Sequence, residues 1–182
     1  MVSSYNNFLN EDLLNRIEEY YEKMRYNYAW KMVHNGEYCK IIADGCNGSI
    51  MGLPLIPFAD EIYDNYIRVN PKLKDISSGC NPFYYIWERG SHLGWHNDEG
   101  WAFGSSIWLN KKWDRNDGGL FMYENNDNDI KVILPTYNKM SLNLDNTFHA
   151  VSMISNQSHK IRRSIQVWGL YKDQHKKMRE WE

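Results

Sequence analysis

Two histidines, an aspartate and an arginine hold the chemistry that can be read from this sequence. The stretch 87–98 reads Trp-Glu-Arg-Gly-Ser-His-Leu-Gly-Trp-His-Asn-Asp and ends in His96-Asn97-Asp98. In an extended strand successive side chains point to opposite faces, so the His96 imidazole and the Asp98 carboxylate share one face while Asn97 turns away. One nitrogen and one oxygen donor then converge. A second histidine from a distant strand would complete the two-histidine, one-carboxylate facial set that holds non-haem Fe(II) and leaves coordination positions open. His149 is the candidate.

A second constellation lies at 162–168, Arg-Arg-Ser-Ile-Gln-Val-Trp. The strand period puts Arg162, Ser164, Gln166 and Trp168 on one face, with Arg163, Ile165 and Val167 on the other. A polar face that ends in a large aromatic suits the wall of an anion pocket, where arginine grips a carboxylate through two parallel hydrogen bonds and Ser164 adds another donor. The alternative is a surface arginine on an exposed strand.

The elements that must position these groups follow from patterning. Asn10 can cap a helix that opens on Glu11-Asp12, and Leu13, Leu14, Ile17, Tyr20, Tyr21 and Met24 give it one apolar stripe. Residues 28–42 read as two strands around Asn35-Gly36. The Gly- and Pro-rich stretch 43–57, with Ile50, Met51 and Leu53 read as exposed, is either a plain connection or an apolar-tipped lid. Phe58, Ile62, Tyr63, Tyr66 and Ile67 mark a second helix that ends before Pro71. From 83 onward short β-branched and aromatic runs recur near 83–88, 93–98, 102–110, 119–124, 130–134, 139–145, 148–153 and 162–171, separated by turn signals such as Asn116-Asp117-Gly118-Gly119. Helices followed by about eight strands predict a mainly β chain with α, a jelly roll buttressed by N-terminal helices. The expected organisation is one domain over 1–182, with helical support over about 1–80, a jelly-roll core over about 81–171 and a tail over 172–182.

Composition bounds the function. The chain has 182 residues, 42% hydrophobic and 24% charged, which are globular values. A net charge of -2 makes nucleic acid held by its phosphates an unlikely partner. Three cysteines without a C-x-x-C pair form neither a disulfide framework nor a zinc knuckle, and point to a reducing, cytoplasmic setting. The sequence lacks a signal-like N-terminus and a long apolar run, so neither export nor a membrane span is expected.

The order of these motifs resembles that of the Fe(II)/2-oxoglutarate-dependent dioxygenases, and within them the prolyl 4-hydroxylase-like group. The group's pattern runs Tyr-x-x-Gly-x-x-aromatic-x-x-His-x-Asp, then Tyr-Leu-Asn, Gly-Gly, His-x-Val, and Arg or Lys on the final strand before Trp. Gly90, His96 and Asp98 stand here, followed by Leu109-Asn110, Gly118-Gly119-Leu120, His149-Ala150-Val151, and Arg162 through Trp168. The opening at 5–12 also resembles the group's first strand and helix, so the likeness covers nearly the whole chain.

The resemblance implies that His96, Asp98 and His149 bind Fe(II) and that Arg162, with Ser164 nearby, pairs with the distal carboxylate of 2-oxoglutarate. Arginine at 162 is closer to the oxygen-sensor prolyl hydroxylases than to the collagen type. Three positions depart from the pattern: Trp87 replaces a tyrosine before the metal motif, Trp108 replaces the tyrosine whose hydroxyl helps hold 2-oxoglutarate, and Leu93 stands where an aromatic is usual. An indole N–H donates a hydrogen bond but cannot accept one. With dioxygen, and ascorbate as a possible reductant, such a site decarboxylates 2-oxoglutarate to succinate and hydroxylates a C–H bond. Asp98 points to hydroxylation, because family halogenases lack that carboxylate.

For the substrate, the resemblance favours 4-hydroxylation of proline in a peptide or protein. Tyr85, Trp101 and Trp168 are candidates for its pocket, and Trp95, Phe103 and Trp113 are expected near the mouth. The alternatives are a hydroxylase of a free amino acid or other small molecule and a non-catalytic jelly-roll binding domain; a nucleic-acid demethylase fits the charge less well. His34, His92, His159 and His175 read as surface or packing residues.

Overall fold

The computed structural model describes residues 1–25, 31–34 and 50–172. In chain order the elements are β1 (Val2–Tyr5), α1 (Glu11–Arg25), β2 (Lys31–His34), β3 (Ile50–Pro54), α2 (Ala59–Val69), a short α3 (Leu73–Ile76), β4 (Ser77–Trp87), β5 (Leu93–His96), β6 (Phe103–Trp108), β7 (Phe121–Glu124), β8 (Ile130–Ile133), β9 (Met140–Asn143), β10 (His149–Val151) and β11 (Arg162–Tyr171). The strands form two antiparallel sheets, a larger one ordered β1-β9-β6-β11-β4-β3-β2 and a smaller one ordered β5-β10-β7-β8. Together they make the jelly roll that the strand pattern predicts.

The helices close the outer face of the larger sheet. Asn10 caps α1 by accepting the Leu13 N–H at 2.8 Å. The stripe Leu13, Leu14, Ile17 and Tyr21 is then buried with Ile62 and Tyr66 of α2 against Tyr84, Ile107, Ile165 and Val167 of the sheet. Burying an aliphatic side chain contributes about 1.5–3 kcal/mol, so this layer holds the sheet flat side down on the helices. The other face of the same strands looks into the space between the sheets, where Tyr85 and Trp87 of β4 pack with Ile50, Val151 and Ile154. Each strand thus sends alternate residues to a sealed outer core and to an interior cleft.

Three expectations change. Ile50–Pro54 is a strand rather than the end of a loop, in register with β4 from Ile50 opposite Trp87 to Pro54 opposite Phe83, which buries Ile50 and Leu53. Residues 43–49 of the proposed lid lie outside the described residues, as does the Asn35-Gly36 turn; the described strand before that turn pairs with β3. Phe103 does not reach the mouth, being buried on the helix side against Tyr66, whereas Trp113 packs against the inner cluster of Tyr85 and Trp87 and donates its indole N–H to the Gly118 carbonyl. Among the described residues no helix is long and apolar enough to cross a membrane.

Candidate active site

The candidate metal-ligating side chains come from the smaller sheet and from the turn that follows β5. His96 closes β5 and lies directly opposite His149 of β10, with ring centroids 4.3 Å apart. Asp98 follows two residues after His96 and turns back toward the pair, its Oδ2 3.5 Å from His149 Nε2. The three offer one ligand atom each within 4.8 Å of one another.

Both imidazoles are held in the same way. His96 Nδ1 lies 2.8 Å from the Gly94 carbonyl and His149 Nδ1 lies 2.9 Å from the Thr147 carbonyl. With Nδ1–H donating to those carbonyls, each Nε2 lone pair is left for a metal. Burial, and next the proximity of His149, pull the His96 pKa below its ordinary value, which favours the neutral, ligating form. Phe121 stacks on the His149 ring at 5.3 Å and fixes its plane.

The larger sheet supplies the donors. Arg162 is fully buried; its Nη1 donates to Ser164 Oγ at 3.4 Å, and its guanidinium lies 4.6 Å over the Trp87 ring. Its Nε and Nη2 have no hydrogen-bond partner, and no carboxylate pairs with it among the described residues. Burial alone drags its pKa down to about 9.

Trp87 spends its indole N–H on Ser164 Oγ at 3.2 Å. Trp108 stands opposite Ser164 in the β6–β11 register, is fully buried, and has an indole N–H without a partner. An interior cluster of donors around an unpaired cation is costly in itself and is satisfied by an anion. The residues therefore fit the charged end of a dicarboxylate. The cavity beside the triad is narrow, about 40 Å³.

Of the candidate substrate residues, Trp101 and Trp168 pack at 6.1 Å, and Trp168 meets Tyr85 at 6.0 Å. Trp168 also donates its indole N–H to Asp98 Oδ1 at 3.4 Å. Tyr85 is buried deeper, next to Trp87.

Two contributors had no sequence signal of their own beyond the motif. Gly119 has φ 63° and leaves room for Arg162, whose Cδ would lie 2.8 Å from any Cβ at that position. Asn143 Nδ2 donates at 3.1 Å to the Thr147 carbonyl, the same carbonyl that meets His149 Nδ1, bracing the turn that presents His149.

Solved structures share this arrangement of sheets. A prolyl-4-hydroxylase from Pseudomonas putida matches 94% of this chain and 92% of its own at a TM-score of 0.71 and 14% identity. A Trichoplax adhaerens prolyl hydroxylase, solved with a hypoxia inducible factor oxygen degradation domain peptide fragment, matches 94% of this chain and 84% of its own at 0.72 and 16% identity. A 2OG-Fe(II) oxygenase family oxidoreductase from Burkholderia pseudomallei matches 93% and 87% at 0.61 and 15% identity. The fold is that of the 2-oxoglutarate/Fe(II) oxygenases. No protein-family profile and no curated protein matches the sequence. Within this oxygenase fold the two indoles behave differently: Trp87 braces Ser164 and covers Arg162, whereas Trp108 keeps a free donor.

Proposed function

We propose that this protein is an Fe(II)- and 2-oxoglutarate-dependent dioxygenase that hydroxylates proline within a peptide or protein. The observation that carries the reading is Arg162, a fully buried guanidinium without an acidic partner among the described residues, stacked on Trp87, which lines the cavity beside the His-Asp-His cluster. His96, Asp98 and His149 hold the iron; Arg162, Ser164 and Trp108 grip the distal carboxylate of the oxo-acid, and Trp87 shapes that pocket. Bound iron, 2-oxoglutarate and dioxygen supply the oxidation, in which the oxo-acid becomes succinate and carbon dioxide and the second oxygen atom enters a substrate C–H bond. The chain's own part is to orient the co-substrate, to keep the site dry behind Trp87 and Trp108, and to present the C–H bond.

The mouth favours a peptide. Among the described residues no lysine or arginine lines the metal cavity or the adjoining cavity of about 190 Å³, walled by Trp101, Asn143, Asp145 and Tyr171, and Arg162, stacked on the lining Trp87, is committed to the oxo-acid. A free amino acid brings a carboxylate that would have no cation to meet there. Arg89 and Glu88 are exposed and line a different depression, with His159 and Lys160. A peptide presents neutral backbone and an apolar ring, which suit the Trp101 and Trp168 surfaces.

Succinate release on adding Fe(II) and 2-oxoglutarate, with one oxygen added to Pro-containing peptides by mass spectrometry, is the expected result. Turnover of free L-proline without peptide oxidation would redirect the substrate; binding of both metal and oxo-acid without succinate under any substrate would leave a binding domain.

A further inference from the structure

Asp98 follows β5, outside any strand, and its side chain is seated by residues of the larger sheet. Gly104 of β6, in register with Asn143 of β9 and Trp168 of β11, lies against the Asp98 carboxylate. A Cβ at Gly104 would fall on Asp98 Oδ2 and overlap its Cγ, closer than real Cβ atoms come to any neighbour. Trp168 reaches the other oxygen, its indole N–H donating to Asp98 Oδ1, while Oδ2 faces His149 Nε2. The two carboxylate oxygens therefore have different surroundings: one turns to the histidines through space that only glycine leaves, and the other is engaged by an indole.

We propose that Gly104 and Trp168 are positioning residues that seat Asp98 as a one-oxygen metal ligand. The proposal rests on the metal site described under the proposed function. Its chemical consequence is the number of free positions. Two imidazoles and one carboxylate oxygen would hold a six-coordinate ion at three sites and leave three for a chelating oxo-acid and dioxygen, whereas a carboxylate bound through both oxygens would take one of these.

The clamp also joins the ligand to the mouth. Trp168 packs with Trp101, Tyr85 and Phe83, ring centroids 6.1, 6.0 and 5.9 Å away, so the aromatic wall that meets the substrate also fixes the indole that holds Asp98.

Co(II) titration by calorimetry and visible absorption tests this without oxo-acid or turnover. Gly104→Ala is expected to weaken Co(II) at least about tenfold, approaching Asp98→Ala. Trp168→Phe keeps the ring stack and deletes the donor, so it should weaken Co(II) by up to about tenfold and alter the visible band as the second oxygen is released. Gly104→Ala placed on Asp98→Gly should melt at the temperature of Asp98→Gly alone, because the methyl then has room; that double variant reports the clash even where the single variant unfolds. Wild-type Co(II) affinity in Gly104→Ala, or the same melting penalty for the methyl with and without the Asp98 side chain, overturns the clamp. A wild-type protein that does not bind Co(II) sinks the metal site and the clamp together, whereas normal binding by wild type and both single variants sinks the clamp alone.

Discussion

Arg162 and Arg163 are consecutive residues on β11 and meet opposite surroundings. Arg163 points to the helix side, where its Nη1 lies 3.7 Å from Glu18 Oε2 and its guanidinium sits 5.3 Å over the Tyr21 ring, which in turn stacks on Tyr84 at 4.4 Å. Its backbone N–H donates to Asn110 Oδ1. Arg162 points between the sheets, where its Nη1 donates to Ser164 Oγ, a hydroxyl that also accepts from the Trp87 indole and stands opposite Trp108 in register. The outer arginine has its counter-charge and aromatic neighbours in the fold itself. The inner one has its charge and no acid among the described residues, and folding alone gives no return for burying it. A polar group whose partners are complete belongs to the architecture; one left incomplete in an ordered interior marks where a ligand completes it.

The contrast breaks first if the inner cleft does not bind metal. Alanine at His96, Asp98 or His149 removes one of three protein ligands, a larger loss than the roughly 10–100-fold that outer-shell changes cost. Iron affinity measured by calorimetry should therefore fall by more than about a hundredfold in each variant, with the far-ultraviolet circular dichroism of the metal-free protein unchanged. Undiminished binding in any one variant removes that residue from the site.

The next largest effect sets the two arginines against each other. Arg162→Met keeps volume and deletes the charge, so 2-oxoglutarate binding to the metal-loaded protein should weaken by about ten- to a hundredfold, the equivalent of about 1.5–3 kcal/mol for a charged hydrogen bond. The same change should raise the melting temperature of the protein without oxo-acid, because an unpaired buried cation is gone. Arg163→Met should do neither. It leaves 2-oxoglutarate affinity within about twofold, and it lowers the melting temperature by about 2–4 °C, the size of a partly exposed ion pair with a cation–π contact. If the two variants exchange these phenotypes, the face assignment along β11 is inverted.

How much of this was legible without coordinates depended on where the information sits. Alternation along 162–168 separated Arg162 from Arg163 because the period of a strand is a local property, and the Asn10 cap and the α1 stripe were legible for the same reason. The strand series from 83 onward was likewise readable from β-branched and aromatic runs between turn signals.

Contacts between strands distant in sequence were not readable. Ile50 and Leu53 look like loop residues until β4 pairs with them and buries them. Phe103 and Trp113 sit near the metal motif in sequence, yet one faces α2 and the other closes the Gly118 turn. Gly104 offered no signal at all, because its role is an absence of atoms that matters only once Asp98 lies beside it. The convergence of His96 and His149 needed β5 and β10 to be neighbours, which the sequence suggested through motif order rather than through any physical pattern.

The smallest expected effect concerns what holds the outer face. Burial raises the Glu18 carboxyl above its ordinary 4.5, opposed by the hydrogen bond from the Tyr84 hydroxyl at 2.9 Å and by the charge of Arg163. A raised folded pKa means that the native chain holds this proton more tightly than the unfolded chain does. The stability it contributes is therefore fully present below 4.5 and is lost as pH rises through the folded value. Glu18→Gln cannot ionise, so the difference in melting temperature, variant minus wild type, should grow with pH over the window just above 4.5 and then level off. Oxo-acid affinity should not change, since Glu18 lies on the far side of the sheet from Arg162. A difference that shrinks with rising pH would mean that the ion pair with Arg163 outweighs burial. The outer arginine would then be held chiefly by charge, and the contrast with Arg162 would rest on the presence of a counter-ion alone rather than on packing as well.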